Sequence, residues 1–201
     1  TFRSFAPIKS PEIQFDYLTV EKTTLRAVKL DAKKGDFISV TDQNGKVAYQ
    51  GIVDDVETDK TGVTISAQPL MSLFDAEVYF DRTTSAKIEP FIASIIRDNF
   101  VSSGDALQNI SGMTVETTSE TTGALNLKDN IHSFYEIITK SLTAYGVAVN
   151  MSFDPQKKTI SVKVGKVGET AVIETNLQAI VDKNIIIGDS TGQLNKVTIY
   201  N

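Results

Sequence analysis

Hydrophobic and polar residues alternate with period two from about residue 35 to residue 67. "DFISV" sets Ile38 and Val40 on one face and Phe37, Ser39 and Thr41 on the other. "VAYQGIV" returns with Val47, Tyr49, Gly51 and Val53 on one face, and "VTISA" points Val63, Ile65 and Ala67 inward. Asn44-Gly45 between the first two runs predicts a two-residue hairpin turn, because both residues tolerate φ > 0. "DKTG" predicts a second turn, with Gly62 as its left-handed residue. Upstream, "IQFDYLTV" and "TLRAVKL" have the texture of two further strands. Residues 1–78 therefore predict a small antiparallel β-barrel or sandwich.

The period then changes. In "KIEPFIASIIRDNFV", Ile88, Phe91, Ile92, Ile95, Ile96 and Phe100 form a helical stripe, with Pro90 in the first turn. Residues 102–123 are rich in Ser, Thr and Gly and read as loop, with one short strand at "MTVET". A second helix is expected to start near Asp129 or Asn130, either of which can cap it. It carries Ile131, Phe134, Tyr135, Ile138 and Leu142 and stops at Gly146. "VAVNMSF", a turn at Asp154-Pro155 and "TISVKV" make a hairpin; "AVIET", "NIIIG" and "NKVTIY", the last after a turn at "GDSTGQ", predict a return to strands. The expectation is an α+β chain: a β-barrel domain over 1–78, an α/β insert domain of two helices plus a hairpin over 79–170, and strands over 171–201. Those last strands begin a second barrel or rejoin the first.

Composition removes several classes of function. The chain has 201 residues, 41% hydrophobic and 22% charged, enough for a core without covalent staples. Cysteine is absent, which excludes thiolate chemistry, iron–sulfur clusters and disulfides. The net charge is −5, and the four arginines, Arg3, Arg26, Arg82 and Arg97, are scattered, so specific nucleic-acid binding is not expected. No apolar run approaches the ~20 residues of a membrane span, and no signal peptide opens the chain. The chain begins at Thr1 and stops inside an apparent strand, so the intact protein is expected to continue.

Candidate chemistry is sparse. Asp54, Asp55, Glu57 and Asp59 crowd one strand end and suggest a hard cation, but no bend glycine or terminal bidentate glutamate stands in register. They read as a solvated strand end. His132 is the sole histidine, and no nucleophile elbow accompanies it. "GKVGET" at 165–170 lacks the leading glycine and the Ser or Thr of a phosphate loop. Asn109-Ile110-Ser111 and Asn150-Met151-Ser152 match glycosylation sequons with nothing else pointing to a secretory route. The residues assign no catalytic, cofactor-binding or metal-ligating side chain, and no cofactor or enzyme activity is expected.

One long stretch carries a resemblance. "KGDFISVTDQNGKVAYQGIVDDVETDKTGVTISAQPLMSLFD" contains, in order, a glycine-led strand, a hairpin, the aromatic-glycine "YQGIV", an acidic strand end and "ISAQPLMSLFD". It resembles the first barrel of the baseplate hub proteins of tailed bacteriophages, which include the N-terminal part of tail-associated lysins. "IEPFIASIIRDNFV" and "NIHSFYEIITKSLTAYGVAVNMSFDPQKKTISVKV" are similar to that family's insert, and "NIIIGDSTGQLNKVTIYN" to the opening of its second barrel. The resemblance covers roughly residues 35–201. It implies a homo-trimeric tail-tip hub in the virion, made in the bacterial cytoplasm. Its barrels would ring a lumen for DNA and contact the tail tube and the distal tail protein. An acidic lumen wall would let DNA slide by. The chain lacks the C-terminal region that carries peptidoglycan cleavage in some members. A host-surface module for saccharide or protein is the second reading, and a hydrolase resting on His132 the third.

Overall fold

The structure, a computed structural model, describes residues 2–5, 22–42, 44–80, 87–167 and 194–200. It is mixed α and β, mostly strands with two helices. In chain order these are β1 (Phe2–Phe5), β2 (Thr23–Ala27), β3 (Phe37–Asp42), β4 (Val47–Asp59), β5 (Gly62–Pro69) and β6 (Glu77–Tyr79). Then come α1 (Ile88–Ile96), β7 (Met113–Thr117), β8 (Ile131–Ser133), α2 (Phe134–Tyr145), β9 (Val147–Asp154), β10 (Thr159–Lys166) and β11 (Leu194–Tyr200). The expected strand "IQFDYLTV", the segments "AVIET" and "NIIIG" and the turn "GDSTGQ" lie outside the described residues.

Six strands form one antiparallel sheet in the order β1-β11-β3-β4-β5-β2, curled into a half-barrel. Strand β11 pairs with β3 on one side and β1 on the other, so the end of the chain enters the same sheet as its beginning. Alternation places Leu25, Ile38, Val40, Tyr49, Val53, Val63, Ile65 and Ala67 together on the inner face, all buried. Gly51 sits among them because Tyr49 lies over it. A Cβ there would strike the Tyr49 ring and the Gln68 carbonyl, so the aromatic covers a gap that only glycine leaves.

Strand β4 departs from simple alternation twice. Its pairing with β3 jumps from Val40↔Tyr49 to Thr41↔Val47, which turns Val47 off the inner face and leaves it half exposed. Its pairing with β5 jumps from Val53↔Ala67 to Asp55↔Ser66, leaving Asp54 as the extra residue. Val53 and Val56 therefore both turn inward although three positions separate them. Among the described residues the ladder between β3 and β4 ends at Thr41↔Val47, and Asn44-Gly45 lies in the turn between the strands, with Gly45 at φ 79°. The bulge at Ala48 shifts the register just before this turn.

The middle of the chain makes a second layer. Strand β10 pairs antiparallel with β9 and parallel with β7, and α1 and α2 cover this sheet. Ile88, Ile92, Ile95, Ile96 and Phe100 of the predicted stripe are buried against Val147, Val149, Ile160, Val162 and Val164. Phe74, Phe100 and Phe134 meet as a triangle with centroids 4.7, 5.1 and 5.7 Å apart. Helix α2 ends at Gly146, whose φ of 65° supplies the left-handed cap. Its start differs from the expected Asp129 or Asn130. Phe80 N–H donates to Asn130 O at 3.1 Å and Phe134 N–H to Ala76 O at 3.0 Å, so residues 131–133 pair with β6 instead of winding. Tertiary pairing satisfies the backbone groups that a cap would have served.

Candidate functional site

The four acids do not converge. Asp54, at the bulge, meets Lys22 at 2.5 Å and Lys34 at 3.4 Å, and these lysines hold its carboxyl below the usual range. Asp59 accepts from Thr61 N and Oγ1, both at 2.6 Å, and from Arg26 at 2.7 Å, which lower its pKa too and fasten the turn into β5. Asp55 accepts from the neighbouring Val56 N–H at 2.9 Å, and Glu57 is exposed. Each acid near a cation has its own partner. Among the described residues, no three His, Asp or Glu side chains are placed to share a metal.

His132 lies on β8 rather than on a helix, and both its ring nitrogens are engaged. Nε2 accepts from Asp129 N–H at 3.4 Å, so Nδ1 of the neutral ring carries the proton and donates to Glu136 at 3.0 Å. The ring stacks on Phe80 at 6.0 Å. Glu136 also pairs with Lys140 at 2.7 Å, and Lys140 foremost, then His132, draws its pKa down to about 2. The Glu136 carboxylate thus sits between the His132 imidazole of β8, held by a hydrogen bond, and the Lys140 ammonium of α2. Among the described residues, no serine or threonine hydroxyl is hydrogen-bonded to His132. Of "GKVGET", Gly165 and Lys166 end β10 and residues 168–170 lie outside the described residues. A Cβ on Gly165 would collide with Thr118, so its glycine serves packing. Asn109 closes a loop through Ser103, and Asn150 is exposed on β9.

The polar residues with the most structural weight are others. Glu89, one residue into α1, is fully buried. Its carboxylate accepts from Ser119 Oγ at 2.7 Å, Thr121 N at 2.5 Å and Thr121 Oγ1 at 2.7 Å. Burial pushes its pKa up, but these bonds outweigh burial and the net shift is downward. Thr121 O in turn accepts from Ile88 N–H at 2.9 Å. Segment 119–121 thus caps a helix whose own N-cap, Lys87, supplies no side-chain bond. The sequence signal was an acid between Ile88 and Pro90, which reads equally as ordinary first-turn charge.

Two side-chain amides stand in for strands. Gln50 on β4 donates Nε2–H to Phe153 O at 2.8 Å and accepts Phe153 N–H on Oε1 at 2.9 Å. Asn99, in the widened turn Arg97–Val101 after α1, does the same to Tyr79, at 2.8 and 2.9 Å. Phe37 of β3 stacks on Phe153 at 4.3 Å with 17° between the rings. The Phe37–Phe153 stack and the Gln50 amide, which completes the edge of β9, are two of the contacts that join the six-stranded sheet to the insert; Tyr135 Oη also donates to Met71 O at 2.6 Å. Gln50 carried no signal in the sequence beyond being polar on the face opposite Tyr49.

The exposed apolar side chains form the remaining feature. Tyr79 and Ile131 are cross-strand neighbours in the β6–β8 pair, 61% and 57% exposed. Leu107 is 95% exposed, in a loop closed by Asp105, Ser103 and Asn109 through their side chains. No known family model matches the chain, and no curated protein matches it either.

Proposed function

We propose that the chain is a structural piece of a phage or prophage tail-tip hub. In this reading the half-barrel closes into a barrel that forms part of a ring wall, with residues 1–78 as its body. The α/β insert over 79–170 is a side-lobe, and residues 171–201 complete the wall or open a second barrel. The hub is a homo-trimer in the virion, assembled from subunits made in the bacterial cytoplasm. It joins the tail tube to the distal tail protein, performs no chemistry, and lets DNA pass an acidic lumen. One observation carries the reading: β11 inserts between β1 and β3, so the helical layer is a loop-out from a single β wall. The resemblance in residues 35–201 implies a β-barrel followed by an α/β insert, which this order supports, but it puts Leu194–Tyr200 in a second barrel, whereas β11 joins the first sheet.

Light scattering of the full-length protein, alone and with its tail-tube neighbour, tests it. A trimer, or a ring formed on the tube protein, is the expected result. A monomer under both conditions defeats the proposal. The host-surface reading draws on Tyr79, Ile131 and Leu107, and a glycan array with a specific hit lost in Tyr79→Ser would favour it.

A further inference from the structure

We propose that the outer margin of β8 is a docking edge for an extended segment of a partner protein, taken up as a third strand beside the β6–β8 ribbon. The register fixes which backbone groups face out. Phe80 N–H donates to Asn130 O and Phe134 N–H to Ala76 O, and Val78 stands opposite His132 between them. Bonded and non-bonded pairs alternate in an antiparallel ladder, so the N–H and C=O of residues 77, 79, 131 and 133 point away from the ribbon. On the β6 side, Asn99 takes both groups of Tyr79. The β8 side has no such guard. Among the described residues, nothing pairs with the N–H and C=O of Ile131 or the N–H of Ser133, and both residues are exposed. Ser133 is the N-cap of α2, so its C=O serves the helix.

Donors and an acceptor at strand spacing fit another main chain, and the neighbouring side chains say which. Tyr79 and Ile131 form one cross-strand row, each more than half exposed, and Glu77 and Ser133 form the next. An added antiparallel strand extends both rows. Its residue bonded to Ile131 meets the apolar pair and is itself apolar. Its residue two positions earlier stands beside Ser133, whose short side chain leaves Glu77 within reach of a lysine or arginine. Glu77 is exposed and, among the described residues, without an ion pair. The occupant therefore reads basic-x-apolar. A second copy of this chain fits worse: antiparallel pairing about Ile131 would set its Asp129 beside Ser133, an acid facing Glu77. The open margin is also too short to template continuous sheet between copies.

The probe is a soluble, capped octapeptide of β-prone residues with a lysine two positions before a leucine, added to the full chain at millimolar concentration. Hydrogen exchange should slow at the Ile131 and Ser133 amides. N-methylating the leucine amide, which removes the donor to Ile131 O, should weaken binding about five- to tenfold. Ser133→Pro should weaken it similarly and keep the melting temperature, because φ is already −55° there and the N–H serves no internal bond. Three results would overturn the proposal. One is unchanged exchange at both amides. Another is binding indifferent to N-methylation and to Ser133→Pro. The third is slowed exchange without peptide that grows with protein concentration, which would make a second copy the occupant.

Discussion

The half-barrel and the helix–hairpin insert are stabilised in different ways, although each is a sheet with one buried face. Among the described residues, the apolar cluster formed by β2–β5 has eight buried members, and the cluster under the helices has eighteen, including Phe74 and Val78 from the first 78 residues and three large aromatics in mutual contact. The sheet relies on cross-strand pairs, three register shifts and polar fastenings at its rim, whereas the insert relies on volume. Local changes in the half-barrel should therefore disturb geometry, and local changes in the insert should disturb stability.

The largest expected effect is on the insert. Phe134→Ala removes the ring that both Phe74 and Phe100 touch, at a cost of about 3–5 kcal/mol, read from urea unfolding. An equal loss from Val53→Ala in the half-barrel would erase the contrast between the two regions. Next is Glu89→Ala, expected to cost about 1–3 kcal/mol because it removes a buried acceptor and strands the half-buried donors of Ser119 and Thr121. Glu89 also sets a pH dependence. Its pKa is lowered in the folded state, so its contribution is complete above the ordinary carboxyl range and fades as pH falls through that range. The acid-side slope of stability should shrink in Glu89→Gln, as followed by melting at several pH values.

Gln50→Ala tests the joint itself. It should cost about 1–3 kcal/mol and speed hydrogen exchange at Phe153, whose N–H loses its acceptor. Unchanged exchange there would mean that the Gln50 amide does not protect the edge of β9. The smallest effect belongs to Asp54→Asn. Its partners Lys22 and Lys34 are mostly exposed, so only a slight loss of stability is expected in thermal melts, diminishing with salt.

How much of this could be read from the sequence follows the same divide. Regular periodicity located β3, β5, α1, β7, β9 and β10, because each buries one face against a single neighbour. Gly146 was visible because a left-handed cap has few substitutes. The bulges in β4 were not, since alternation continues on either side of each, although the spacing of Val53 and Val56 is a trace of one. Strand β8 was hidden because Asp129 and Asn130 form a good local cap signal, which a distant strand overrides. Gln50, Asn99 and Glu89 were hidden for a related reason: each acts through a partner 20 to 103 positions away, and a polar residue does not announce its partner.

The amides of Gln50 and Asn99 have a further consequence. An unpaired strand margin invites any extended peptide nearby to dock, including the same margin of an identical molecule. By occupying the outward N–H and C=O of Phe153 and of Tyr79, each amide denies a visitor two of the bonds it needs. Molecules crowded together can then touch through side chains without zippering into continuous sheet, and aggregation is restrained by two residues that contribute nothing to either core.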